Sequence, residues 1–204
     1  MKWIQKNLKD DSAGVESFVT QRLARYPIFE PQAQEIEADI RQRLDADLYI
    51  SEIQPLLYLG SLRAATDREQ LQKHDIKRIL NVSPFENGCS SSVCYKQIAI
   101  ADAETEDITK HIDVCVRFIE EGLASKEATL VHCQAGVSRS ASMVLAFLMQ
   151  SKRMRLKDAL KHVRQCRSIV EPNAGFVAQL IRMEESLFGS STVKPTDFEL
   201  LAFF

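Results

Sequence analysis

The run Ala128-Thr129-Leu130-Val131-His132 is β-prone and largely apolar, with no regular polar alternation. It passes into the short loop Cys133-Gln134-Ala135-Gly136-Val137-Ser138, and then at once into the helical pattern that opens Arg139-Ser140-Ala141-Ser142 and continues Met143-Val144-Leu145-Ala146-Phe147-Leu148-Met149. A strand that turns directly into a helix aims successive backbone N–H groups and a helix N-terminus into one concavity, which makes an anion site. Gly136 supplies the backbone freedom such a tight loop needs. Arg139 adds a planar fork of donors matched to phosphate oxygens.

The rest of the chain continues this interleaving of strand and helix. Short β-rich runs are expected at 48–50, 56–59, 78–82, 95–100 and 128–132, with longer helical patterns between and after them. Ile108, Ile112, Val116, Ile119 and Leu123 share one helical face; Leu156, Leu160 and Val163 share another; Phe176, Leu180 and Leu187 mark the last. The expected fold class is α/β: a central, mostly parallel twisted sheet of about five strands with helices on both faces. Before it, Val15, Phe18, Val19 and Leu23 form one stripe and Ile36, Ile40 and Leu44 a second, with Pro27 and Pro31 between them. Residues 1–47 therefore read as an N-terminal helical extension, packed on the domain or acting as a docking arm. Residues 48–188 read as the main domain and 189–204 as a tail. That tail ends in Phe198, Leu200, Leu201, Phe203 and Phe204, apolar enough to fold back or to meet a partner.

Composition excludes several classes. A net charge of -2 argues against a nucleic-acid binder. The longest apolar run, 143–149, falls far short of the about 20 residues a membrane-spanning helix needs. The N-terminus lacks the apolar core of a secretory signal, so no transmembrane segment and a cytoplasmic or nuclear location are expected. Five cysteines, at 89, 94, 115, 133 and 166, are an odd number for a disulfide framework. Cys89 and Cys94 have no second ligand pair, so neither a metal nor any other cofactor is expected.

A cysteine at the mouth of an anion cradle has a particular chemistry. The helix N-terminus and Arg139 both favour the thiolate of Cys133, which is the nucleophilic form. A bound phosphoryl group would rest against that sulfur, and covalent catalysis through a phosphocysteine is the reaction such a site supports. Ser140 is placed to hydrogen-bond the sulfur and ease its departure. His132 suits ordering the loop better than acting as a base, because a thiolate needs none.

His132-Cys133-x-x-Gly136-x-x-Arg139-Ser140 resembles the signature loop of the protein tyrosine phosphatase superfamily. The helix that follows is similar to that of its dual-specificity branch, with Phe147 where the branch carries tyrosine. Tyr58-Leu59-Gly60-Ser61, Ile79-Leu80-Asn81-Val82 and Pro172-Asn173-x-Gly175-Phe176 resemble the same branch in the same order. The resemblance covers about residues 48–188 and implies an atypical dual-specificity protein phosphatase acting on phosphotyrosine and phosphoserine or phosphothreonine. It implies that Gln134, Ala135, Gly136, Val137 and Ser138 form the phosphate-binding loop. It also implies a general acid at the end of the strand before the long helix, where Asp102 stands; Glu104, Glu106 and Asp107 lie nearer the helix and suit its N-terminus. By resemblance Asn173 braces the phosphate loop, while its position after Pro172 equally suits a helix cap. The basic stretch 152–155 reads as a solvated turn before a binding patch.

No lysine lies among the loop residues, which favours a phosphoprotein substrate over a polyphosphoinositide or an RNA 5′-triphosphate. The implied partner is a phosphoprotein, a MAP kinase-pathway protein being one candidate. Two alternatives stay open: a phosphoprotein-binding scaffold with little turnover, and a lipid or carbohydrate phosphatase on the same fold.

Overall fold

The computed structural model describes residues 48–86 and 93–194, all within the compact unit Asp45–Phe204. The two stripes of the N-terminal extension, Cys89 and the apolar tail lie outside the described residues. The elements run β1 (Ser51–Gln54), β2 (Leu57–Gly60), α1 (Leu62–Thr66), α2 (Arg68–Lys73), β3 (Ile76–Asn81), β4 (Cys94–Gln97), α3 (Thr109–Ala124), β5 (Ala128–His132), α4 (Arg139–Ser151), α5 (Leu156–Cys166) and α6 (Ala174–Phe188).

They build one five-stranded sheet in the order β1-β2-β5-β3-β4. β5 is central and parallel to both neighbours, pairing Gly60 with His132 on one side and Asn81 with His132 on the other. β4 runs parallel to β3, and β1 alone is antiparallel, against β2. The three parallel strands β2, β3 and β5 thus end at the same level, and the site lies beyond those ends.

Strand alternation divides the core in two. Leu57, Leu59, Leu80, Val82 and Val131 point into the larger core with α3, α4, α5 and α6. Tyr58, Ile79 and Leu130 point the other way, into a smaller core with Ala64 and Ala65 of α1. Each layer depends on side chains from both sheet and helix, at about 1.5–3 kcal/mol for each large apolar side chain removed from water. α4 runs through the larger core and is buried along its length from Arg139 to Met149. Phe147 is fully buried there, an environment that suits phenylalanine, since a tyrosine hydroxyl would need a hydrogen-bond partner.

The observed strands shift from expectation by a few residues. β1 starts at Ser51, after the expected run at 48–50, because Ile50 turns into the smaller core while Tyr49 is exposed. A tight turn follows, with Leu56 at φ 69°. β4 stops at Gln97 and not at 100, since the chain leaves the sheet there for the 101–107 loop. The short helices α1 and α2 were not expected. They carry no long apolar stripe and are set by their caps: the Ser61 hydroxyl accepts from Ala64 N, and the Asp67 carboxylate accepts from Glu69 N and Gln70 N.

Residues 152–155 link α4 to α5 as an irregular turn in which Lys152 and Arg153 are exposed and Arg155 is half-buried. Arg153 donates to the Leu187 carbonyl and stacks on Phe188, while Arg155 pairs with the buried Glu184 and donates to Ser190 O. Arg153 and Arg155 thus hold the end of α6, while Lys152 lies over the Phe147 ring.

Candidate active site

Cys133 leaves the end of β5 with 1% of its surface exposed. Its Sγ accepts hydrogen bonds from the Gly136 backbone N–H at 3.3 Å and from the Ser140 hydroxyl at 3.2 Å. The sulfur is thus held in place by two donors from the loop and the first turn of α4.

The loop is shaped by where its carbonyls go. Gln134 O accepts from Leu62 N, Val137 O from Glu171 N, and Ser138 O from Ser142 N. Ala135 O and Gly136 O both accept from the guanidinium of Arg167, at 3.0 and 2.9 Å. These carbonyls are all engaged, and the Gly136 N–H, on the opposite side of its peptide from the Ala135 carbonyl that Arg167 binds, points at the sulfur. Gly136 itself has φ +69°, and a Cβ there would lie 2.5 Å from the Gly60 carbonyl oxygen. Arg167, 3% exposed and also bonded to Tyr49 O, thus ties the loop to the chain just before β1.

Sequence reasoning missed Arg167. It sits in no motif of the loop, and only the packing of the α5 C-terminus against residues 135–136 reveals it. Gly60 stood in a quoted segment, yet its close approach to Gly136 depends on β2 lying beside β5.

Across the mouth of the loop stand Asp102 and Arg139. Asp102 Oδ1 accepts from the Ser138 hydroxyl at 2.8 Å and from Asn173 Nδ2 at 2.9 Å. Its Oδ2 lies 3.3 Å from Arg139 Nε. That contact is an ion pair without an aligned hydrogen bond, for the buried Nε has no hydrogen-bond partner among the described residues. Arg139 is otherwise held by a long contact from Nη1 to Ile100 O at 3.4 Å.

Asn173 combines the two readings the sequence left open. Its Oδ1 caps α6 by accepting from Phe176 N, and its amide donates to Asp102. Its backbone N–H donates to the Ser138 hydroxyl, which is how it reaches the phosphate loop. His132 is fully buried, with Nδ1 3.2 Å from Cys133 O. Burial pushes its imidazole from the ordinary 6.5 down to about 4, so it is neutral near pH 7. The remaining acids lie apart from this cluster. Asp107 accepts from Thr109 N and its hydroxyl at the start of α3, and these bonds hold its carboxyl below the usual range. Glu106 pairs with Lys110.

The structure therefore joins Gly136 and Ser140 to the Cys133 sulfur, and Ser138, Arg139 and Asn173 to the Asp102 carboxylate, with residues 133–140 contributing to both from one contiguous stretch. Gln134 differs from its neighbours: its side-chain Oε1 is buried with no partner among the described residues. Among the described residues no three His, Cys, Asp or Glu side chains cluster as metal ligands, and no helix is long and apolar enough to cross a membrane.

Comparison with known proteins leads to the same place. The family profile described as "Dual specificity phosphatase, catalytic domain" matches residues 57–186. Dual specificity protein phosphatase 5 of Rattus norvegicus is 40% identical over 141 residues, covering 69% of this chain and 37% of that protein. Dual specificity protein phosphatase 19 of Mus musculus is 42% identical over 140 residues, covering 68% of this chain and 64% of that protein. The chain thus matches less than two thirds of either relative's length. The crystal structure of human DUSP28 superposes with a TM-score of 0.65 at 33% identity, covering 68% of this chain and 94% of that one. With the profile spanning β2 to β5, the cysteine loop and all but the end of α6, this chain belongs to the dual specificity phosphatase family.

Proposed function

We propose that this chain is a cysteine-dependent protein phosphatase that hydrolyses phosphotyrosine and phosphoserine or phosphothreonine. The observation that carries the reading is the sulfur of Cys133, held by Gly136 N–H and Ser140 Oγ in a loop whose carbonyls are engaged by Leu62, Arg167, Glu171 and Ser142. Catalysis on such a site divides into two displacements.

In the first, the Cys133 thiolate attacks phosphorus, the bond from phosphorus to the leaving oxygen breaks, and Asp102 gives its proton to that oxygen. The loop N–H groups and the Arg139 guanidinium hold the three remaining phosphoryl oxygens, so charge that develops there meets fixed donors. In the second, Asp102, now a carboxylate, takes a proton from water as the water oxygen attacks phosphorus. The S–P bond breaks, phosphate leaves and the thiolate returns. Ser140 eases that step because its hydroxyl already donates to the sulfur. Proton transfer by a placed carboxyl group contributes about 10²–10⁴-fold.

The substrate class rests on the loop's lack of lysine and on the family. A phosphoprotein is favoured over a polyphosphorylated lipid, and a MAP kinase-pathway protein is the first candidate the family offers. We place the catalytic domain at 48–188 and assign the protein to the cytoplasm or nucleus. The test is hydrolysis of p-nitrophenyl phosphate near pH 6 in excess EDTA, beside Cys133→Ser. Turnover by the wild type alone is the expected result. Equal turnover by Cys133→Ser would end the phosphocysteine mechanism.

A further inference from the structure

The 101–107 segment, which carries Asp102, has no regular secondary structure, and most of its residues are exposed. It has little core of its own to fix it. Besides the Ser138 and Arg139 contacts to Asp102, α6 holds it at points spread over nearly two turns. At the start, Asn173 Nδ2 donates to Asp102 Oδ1. Two residues on, Gly175 faces the backbone of Glu104, and a Cβ at that position would run into the Glu104 carbonyl. One turn further, the side chain of Gln179, 7% exposed, closes both polar groups at the far end of the segment. Its Oε1 accepts from Ile108 N at 2.8 Å and its Nε2 donates to Glu106 O at 2.8 Å. Gly175 and Gln179 are four residues apart and share one helix face.

We infer that Gln179 is a positioning residue: with Gly175 as its counterpart, it straps the 102–108 segment to α6 and sets Asp102 over the cysteine loop. The physical case is the arithmetic of reach. A general acid must meet the leaving oxygen within hydrogen-bond distance, and a displacement near 1 Å costs about 10²-fold in rate. Gln179 satisfies a donor and an acceptor of the segment's backbone at once, so its loss frees the segment at Glu106 and Ile108 together. Asp102 would stay tethered only through its own side chain and the preceding Ile100. The inference rests on the reading of Asp102 as the general acid.

The consequence is a selective defect. Protonation matters most when the leaving group is poorly acidic, so the strap's loss falls on poor leaving groups. The experiment is kcat/KM across a series of aryl phosphates whose phenols span a range of acidity, for the wild type, Gln179→Met, Asp102→Ala and the double variant. Gln179→Met is expected to lose roughly 10-fold or more on phenyl phosphate and no more than about 3-fold on p-nitrophenyl phosphate. In the Asp102→Ala background it should add no further leaving-group dependence, since the group it positions is gone. Gly175→Ala presses on the segment from the other contact and should give the same steepening, which keeps the test available if Gln179→Met folds poorly.

Equal losses across the series, or losses that multiply in the Asp102→Ala background, would overturn the inference and leave the acid assignment standing. An Asp102→Ala series as flat as the wild type's would instead remove the acid assignment, and the strap with it.

Discussion

A methyl group on Gly136 would meet both the Gly60 carbonyl and an Arg167 Nη2 2.8 Å away, in a backbone conformation that L-residues rarely adopt. Arg167 and Gly136 therefore act on the loop as a pair: one needs the absence of a side chain, the other supplies the donors. Arg167→Lys tests this at single-residue resolution. An ammonium group cannot reproduce the fork to Ala135 O and Gly136 O. The variant is expected to lose about 1–3 kcal/mol of stability, the cost of leaving buried acceptors unpaired. It should also lose roughly 10-fold in kcat/KM for p-nitrophenyl phosphate as the loop N–H groups drift. Denaturant unfolding and steady-state kinetics check the two parts, and an unchanged rate would mean that Arg167 serves stability alone.

At the scale of elements, α6 does more than fill the core. Its Asn173 end and Gln179 hold the acid segment, while its other end carries Glu184, fully buried. Glu184 Oε1 accepts from Arg155 Nε, Leu156 N and Thr192 Oγ1, and Oε2 from Ser191 Oγ and Thr192 N. The start of α5, which has no side-chain cap of its own, is thus capped from α6. Burial alone pushes the Glu184 carboxyl up, but the hydrogen bonds from Thr192, Leu156 and Ser191 outweigh it and hold it below the usual range. Glu184→Gln would set an amide N–H₂ against donors it cannot accept from. A loss of about 2–3 kcal/mol is expected, read as a lowered denaturation midpoint, with kcat for p-nitrophenyl phosphate little changed. A wild-type midpoint would mean the cluster contributes nothing net.

For the whole molecule, the buried titrating groups combine into a predicted pH profile of stability. His132 in the folded chain takes up its proton only near pH 4, while the unfolded chain takes it up near the ordinary 6.5. Between those values the unfolded state binds more protons, so stability falls as pH drops through this window, by up to about 3 kcal/mol. Glu184 acts in the same direction but lower: its folded pKa is depressed, so its contribution is complete above the usual carboxylate range and lost as pH falls below it. Stability should therefore be flat above about pH 6.5 and decline below it. Urea unfolding from pH 8 to 4.5 measures this, and His132→Gln should flatten the upper part of the decline. An unaltered slope in that variant would assign the loss to other groups.

Local sequence sufficed wherever neighbours in the chain are neighbours in space. The strand–loop–helix at 128–149 is contiguous, so the loop around Cys133 and the place of Gly136 follow from residue order, whereas the burial of α4 along its length shows only in the packed fold. The α/β class follows from strand and helix patterns that alternate along the chain. Asp102 and Asn173 could be named only by resemblance, and their meeting at 2.9 Å is a matter of α6 packing against the segment after β4. The short caps at Ser61 and Asp67 were passed over because a five- or six-residue helix leaves too little periodicity to read. Arg167, Gln179 and Glu184 were beyond reach for one common reason. Each joins groups 28 to 118 residues apart along the chain, and no local pattern encodes which carbonyl or amide a side chain will find. Residue order alone placed a cysteine where it could meet an anion; what holds that loop and its opposing carboxylate arises from packing, because those bonds exist only once the helices lie on the sheet.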